Sequence, residues 1–256
     1  MRAGRALTLG AAVGALALAL WAAAQPAPWK VAASYQTSLA GRTSAQAHNA
    51  ALAAQAIDGK VVPAGGEFSF NRVVGSWTAD RGYVKAPVSY DGEMIPSWGG
   101  GVCQTSTTLY NAALLAGMQI VERHRHQFPA RYAPPGQDAA VAQYDIDLRF
   151  RNPYDWPVRI AADAAGDRLT CSILSAGPVE RGICIEREIG RLTAPGEVVR
   201  MGRDRPNRTS RLRVINHGAP GMRVAVYRRT GIGPRSAREL ISIDTYPPMN
   251  RLVVVE

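Results

Sequence analysis

A chain of 256 residues, 46% apolar and 20% charged, has the make-up of one large or two small folded domains, which excludes a fully disordered protein. Its 25 glycines and 17 prolines point to a fold rich in turns. The net charge of +10 is carried almost wholly by arginine, since Lys30, Lys60 and Lys85 are the only lysines.

Arg2 and Arg5 precede an almost unbroken apolar run over 6–21, followed by Ala22-Ala23-Ala24 and Pro26. This is the layout of a secretory signal, with cleavage expected after Ala24. The apolar run is also nearly long enough to span a bilayer, so residues 1–24 read as a signal peptide or an N-terminal membrane anchor. Both readings place the rest of the chain outside the cytoplasm. There a basic protein meets peptidoglycan or other anionic envelope polymers as partners. The arginines lack the regularly interleaved aromatics of a single-strand stacking platform, so no nucleic acid is expected.

Residues 43–58 predict a helix, with Thr43 or Ser44 as N-cap, alanines throughout and Gly59 just past its end. Pro63, Gly65 and Gly66 read as a turn feeding a short strand over 67–71. Asp91-Gly92 predicts a hairpin between 88–90 and 93–95. Residues 104–116 predict a second helix closed by Gly117, and 118–122 a short strand. Tyr144, Ile146, Leu148 and Phe150 alternate with polar residues, as in a half-buried strand. Strand character continues over 157–161, and short strands and turns fill the rest. The expected fold class is α+β: a cysteine-bearing helix packed on a mainly antiparallel sheet, followed by a β-rich C-terminal part over 177–256.

Gly99-Gly100-Gly101 lead through Val102 into Cys103 at the start of the second helix. A thiol at a helix N-terminus meets free amides and the positive end of the dipole, which favour the thiolate. Gly100 and Gly101 would let the backbone approach a substrate, and nearby amides with the Gln104 side chain are candidate oxyanion donors. A cysteine at a Gly-rich junction of this kind recurs in papain-like and transglutaminase-like thiol enzymes, which also need a histidine and an orienting acid. His124 and His126, directly after the short strand, are the candidate bases. His126 is favoured because Phe128-Pro129 follow and would fix it. In an extended segment His124 and His126 share one face, with Arg123 and Arg125 on the other, where the arginines would meet substrate carboxylates. Asp138, in the loop 134–139, is the candidate orienting acid, with Asp145 and Asp147 as alternatives. Cys103 and two close histidines lack a fourth ligand at recognisable spacing, so no metal is expected, nor any cofactor.

Cys171 and Cys184 lie in strand-like runs on either side of a turn signal at 175–178. A hairpin centred there would set them opposite each other, and an oxidising compartment would close a Cys171–Cys184 disulfide, leaving Cys103 free.

Several blocks carry a family resemblance: Gly65-Gly-Glu-Phe-Ser-Phe-Asn71, Arg81-Gly-Tyr83 with Ala86-Pro87, and the segment from Gly99 through Cys103-Gln-Thr-Ser-Thr-Thr-Leu-Tyr-Asn111 to Gly117. Ile120-Val-Glu-Arg-His-Arg-His126, Tyr132-Ala-Pro-Pro-Gly-Gln-Asp138 and Asp147-Leu-Arg-Phe-Arg-Asn152 continue it. In this order they resemble the VanW-like family of cell-envelope proteins, over roughly 35–160, and mark a VanW-like domain at 33–176. Arg125 stands where the family often has proline and Val102 where it often has isoleucine; neither change removes a chemical group. The resemblance implies a link to vancomycin resistance and to L,D-transpeptidation of peptidoglycan with Cys103 as nucleophile and His124 or His126 as base. Three functions follow as alternatives: a thiol acyltransferase on stem peptides, a non-catalytic cell-wall-binding module, or an accessory factor of the envelope response to glycopeptides.

Overall fold

The computed structural model describes residues 29–90, 93–143, 145–180, 182–201, 211–231, 233 and 236–255. The signal peptide or anchor at 1–24, the Asp91-Gly92 turn and Tyr144 lie outside the described residues. No helix among the described residues is long and apolar enough to cross a membrane.

The first half of the chain runs β1 (Lys30–Ser38), α1 (Ser44–Ile57), β2 (Val61–Val62), β3 (Glu67–Ser69), α2 (Phe70–Val74), a 3-10 turn at Ala79–Arg81, β4 (Lys85–Tyr90), β5 (Glu93–Trp98) and α3 (Val102–Leu115). There follow β6 (Gln119–Glu122), β7 (Arg149–Arg151), β8 (Val158–Ala165) and β9 (Arg168–Ser175). The C-terminal part is all strand: β10 (Cys184–Thr193), β11 (Glu197–Met201), β12 (Leu212–Asn216), β13 (Gly221–Thr230), β14 (Ala237–Tyr246) and β15 (Arg251–Val255). This is the α+β class: three helices on antiparallel sheets, then a β-rich part. The sheets are β1-β9-β8-β2, β3-β7-β6, the hairpin β4-β5, β10-β13-β14 and β11-β15-β12. Every pairing among them is antiparallel except β11 with β15.

Local chemistry explains the boundaries. Thr43 caps α1 through a reciprocal box, its Oγ1 accepting from the Gln46 amide at 3.2 Å while its own amide donates to Gln46 Oε1 at 3.1 Å. The strand expected over 67–71 stops at Ser69, because the Ser69 hydroxyl accepts from the Arg72 amide at 3.2 Å and starts α2. The strand expected over 144–150 survives only as β7. The inward pattern persists, with Leu148 just before β7 and Phe150 within it both buried. Asp147, however, turns its carboxylate onto the amides of Asn71 and Leu148, both at 2.8 Å, and onto the Ser69 hydroxyl at 2.5 Å, in place of ladder pairing.

Helix α3 is the centre of the core. It is buried from Val102 to Leu114 except at half-buried Cys103, and packs against α1 and the β1-β9 sheet. Its polar run is satisfied inside the core: Thr105 Oγ1 donates to Ala50 O at 2.9 Å, Thr108 Oγ1 meets Thr37 Oγ1 at 2.8 Å, and Ser106 Oγ donates to Ala139 O at 2.6 Å.

The expected Cys171–Cys184 disulfide is overturned, since all three cysteines are free thiols. Cys171 faces Tyr35 of β1 and Ala162 of β8, so β9 has both edges occupied and offers none to β10. The chain leaves that sheet after Ser175, and Cys184 pairs instead with Arg229 of β13.

Candidate active site at the start of helix α3

Gly101 is the N-cap of α3, with a backbone φ of 113°, and Cys103 is the second helical residue. The three glycines before it serve packing. A Cβ on Gly101 would lie 2.2 Å from the Gln46 carbonyl of α1, and one on Gly100 would lie 2.7 Å from the Ala86 carbonyl of β4. Their bare backbones therefore let α1 and β4 approach, which accounts for Gly100 and Gly101 without a substrate. The expectation for Gln104 is corrected. Its side chain is buried, with Nε2 donating to Thr37 Oγ1 at 3.1 Å and to Ser38 O at 2.8 Å, which ties α3 to β1. The Val102 and Gln104 amides are spent on the carbonyls of Gly99 and Gly101; the Cys103 amide lies between them.

After β6 the chain leaves its sheet, and His124 makes an isolated bridge to Ala140, whose amide donates to the His124 carbonyl at 2.7 Å. The loop carrying Asp138 is fastened along the polar side of α3. Ser106 and Thr107 donate to Ala139 O, the Ala139 amide donates to Thr107 Oγ1 at 2.9 Å, and Asn111 Nδ2 donates to Gln137 O at 2.8 Å. This attachment brings Cys103, His126 and Asp138 together. Asp138 Oδ2 accepts from both the backbone amide and the Nδ1 of His126, each at 2.7 Å, which leaves Nε2 for the thiol. The imidazole and the Cys103 thiol are hydrogen-bonded, and Val141 brackets the sulfur, its amide at 3.5 Å and its carbonyl at 3.3 Å.

The electrostatics follow from these partners. Burial pushes the Cys103 thiol up, but the hydrogen bond and charge of His126, with the Val141 amide, outweigh it and hold the thiol below its ordinary value. Burial likewise opposes the His126 imidazolium, yet Asp138 and Cys103 raise its pKa to about 10. Asp138 is desolvated as well, and His126 and Arg123 bring it down to about 2. Each shift favours the charged form of its group: thiolate at Cys103, imidazolium at His126 and carboxylate at Asp138. The His126 side chain is 25% exposed, so the pair is reachable from solvent.

Two expectations fail here because the segment after Glu122 is not a regular strand. His124 turns away to Glu122, with Nε2 3.0 Å from Oε1, and does not join His126. Arg123 does not face solvent. Its guanidinium is buried, with Nη1 forked on the Asp244 carboxylate at 2.7 and 2.6 Å, Nε on Asp138 O at 2.6 Å and Nη2 on Asp138 Oδ1 at 3.2 Å.

A family model described as VanW like protein matches residues 45–174, half of the chain. The chain belongs to the VanW-like family. It is 42% identical over 142 residues to the uncharacterized protein YoaR of Bacillus subtilis (strain 168), which covers 56% of this chain and 47% of that one. It is 32% identical over 117 residues to the Vancomycin B-type resistance protein VanW of Enterococcus faecalis (strain ATCC 700802 / V583), covering 44% of this chain and 42% of that one. The VanW-like chain thus spans less than half the length of either relative. Among solved structures, similarity is found to HP0197-G5 (19% identity, 28% of this chain and 96% of that one, TM-score 0.16) and to an IgA1 protease G5 domain (21%, 29% and 88%, TM-score 0.19).

Within the VanW-like site the sequence reading missed Tyr132, Tyr246 and Asp244. Tyr132 sets its ring edge-on to His126, with centroids 6.4 Å apart, and carries the Arg42 guanidinium on its face at 4.6 Å. Tyr246 Oη donates to Asp138 Oδ1 at 2.5 Å. The polar run 105–108 in a helix otherwise built for burial was the one available sign that a polar loop docks there.

Proposed function

We propose that this VanW-like chain is an exported cell-envelope acyltransferase acting on peptidoglycan stem peptides, in the manner of an L,D-transpeptidase. The single observation that carries the reading is the hydrogen-bonded line from Cys103 through His126 to Asp138 at a helix N-terminus. In this reading the Cys103 thiolate attacks the carbonyl carbon of an amide between an L and a D residue. The oxyanion that forms is met by the Cys103 amide and the positive end of α3. His126 gives its Nε2 proton to the departing amine as the C–N bond breaks, and a thioester remains on Cys103. A second amine then attacks the thioester, loses its proton to His126 and leaves joined to the acyl group, regenerating the thiolate; water in its place gives hydrolysis. Asp138 holds the imidazole by Nδ1 throughout, so that Nε2 stays on the sulfur. The name of the Enterococcus relative attaches that protein to vancomycin resistance, and the envelope setting and a part in the glycopeptide response are carried over here on that likeness. The basic surface suits an anionic polymer.

Purified protein is incubated with defined muropeptides, with and without an acceptor amine, and read by mass spectrometry. Wild type is expected to form a thioester and a cross-linked or trimmed product, while Cys103→Ala forms neither. Binding of muropeptides with no covalent species in wild type would overturn the enzyme and leave a cell-wall-binding module.

A further inference from the structure

Asp138 uses both of its oxygens, and the two sides face different parts of the chain. Oδ2 belongs to His126. Oδ1 belongs to Tyr246 Oη and Arg123 Nη2, and the C-terminal strand β14 controls both. Tyr246 is a β14 residue, and Arg123 is gripped by Asp244, two residues earlier on the same strand, which in turn accepts from Ser242 Oγ at 3.2 Å. The loop itself is seated on the same sheet. The Gly136 amide donates to Tyr246 Oη at 2.9 Å, and a Cβ at Gly136 would lie 2.5 Å from Val226 of β13. Residues 45–174 carry the family match, yet the hydroxyl that fixes the acid lies seventy-odd residues beyond it.

We infer that Tyr246, seconded by Asp244 through Arg123, is a positioning residue for the Cys103–His126–Asp138 line, so that the β-rich C-terminal part completes the active site. This rests on the acyltransferase reading above. A carboxylate has two rotational states, and the bond that His126 needs from Oδ2 is held in place by what grips Oδ1. Tyr246 is buried, and Arg125 lies over its ring at 5.4 Å, so the phenol has little freedom of its own. Remove the hydroxyl and Asp138 keeps only the longer Arg123 bond on that side. It then turns more freely, His126 loses its fixed acceptor, and the thiolate loses its partner. The charged and titratable groups around this path are His126 and Asp138 themselves, Tyr132 beside the ring with Arg42 on its face, Tyr110 of α3 under the Arg123 guanidinium, Arg123 and Arg125 from the segment after β6, and Asp244 and Tyr246 from β14.

The test is the pH profile of Cys103 alkylation by iodoacetamide in the full chain, read by peptide mass mapping, with thermal unfolding alongside. Tyr246→Phe is expected to move the midpoint up by about half a pH unit and slow alkylation on the acid side about threefold. Asp244→Asn should shift it the same way by less, and keeps the question open to measurement if Tyr246→Phe does not fold. A Tyr246→Phe midpoint unchanged or lowered, with only the melting temperature altered, assigns Tyr246 a purely structural role and overturns the inference. An ordinary thiol midpoint in wild type overturns the Cys–His pairing itself, so the two failures are told apart by the wild-type curve.

Discussion

Cys103 and Cys171 lie in the same core, one at the start of α3 and the other in the middle of the β1-β9-β8-β2 sheet, and burial acts on both thiols in the same direction. At Cys171 nothing opposes it: burial raises the thiol far above its ordinary value and the charge of Asp58 adds to the effect. At Cys103 the same desolvation is met by the His126 imidazole and the Val141 amide, and the sign reverses. Burial sets the starting point for a thiol; the hydrogen-bonded partner decides which way its pKa finally moves.

The widest gap between the two regions is in reactivity. Iodoacetamide at pH 7 should label Cys103 at least about a thousand times faster than Cys171 in the folded protein, and the rates should converge in denaturant. Peptide mapping checks this, and equal native rates would erase the contrast. A thiol count on the same unreduced, unfolded sample should return all three cysteines.

Two glycines sharpen the comparison through stability. Gly101 combines a φ of 113° with a Cβ position 2.2 Å from the Gln46 carbonyl, whereas Gly166, in the β8–β9 turn, has a φ of 58° and open space around it. Denaturant unfolding should show Gly101→Ala costing about 3 kcal/mol or more, through clash plus strain, and Gly166→Ala about 1 kcal/mol, from strain alone. Similar costs would mean that α1 and α3 adjust freely at this crossing.

A further contrast appears in acid. Asp138 titrates at about 2 in the fold, below an ordinary carboxylate. Its stabilisation is therefore present above the unfolded value near 4 and disappears as pH falls through about 2, amounting to about 2 kcal/mol. Stability measured across that window should lose this limb in Asp138→Asn and retain it in Cys171→Ala. An unchanged acid limb in Asp138→Asn would place the sensitive carboxylate elsewhere.

The parts of the site that could be read in the sequence are those whose chemistry is local. The glycine run announces the start of α3, the capping box at Thr43 announces α1, and a histidine and a shaped acid loop stand close enough to be paired with the thiol. What could not be read depends on which element lies beside which. A glycine reports that a Cβ is not tolerated, but not that the Gln46 and Ala86 backbones forbid it. Strict alternation put His124 beside His126 and turned Arg123 outward, and it fails because the chain bends away after Glu122 to meet Ala140. The hairpin symmetry of Cys171 and Cys184 ignored β1, which arrives from the far end of the domain and takes the free edge of β9. Tyr246 left no local sign at all, since its partner is 108 residues away.

That placement of β1 also governs the order of events as the chain is made. Lys30 pairs with Ser175 and Ser38 with Arg168, and among the described residues β1 has no other strand neighbour in its sheet. A chain emerging from its N-terminus presents β1 first and must wait for β9 before the strand can be laid down. The four-stranded sheet is therefore expected to close after α1, the β4-β5 hairpin and α3, which form from nearby residues, because β1 needs a long-range encounter. Well over a hundred residues separate Ser34 from Cys171, its hydrogen-bond partner in β9, so the side of β1 that carries Tyr35 and Thr37 has no sheet to lie in until that distant segment is made.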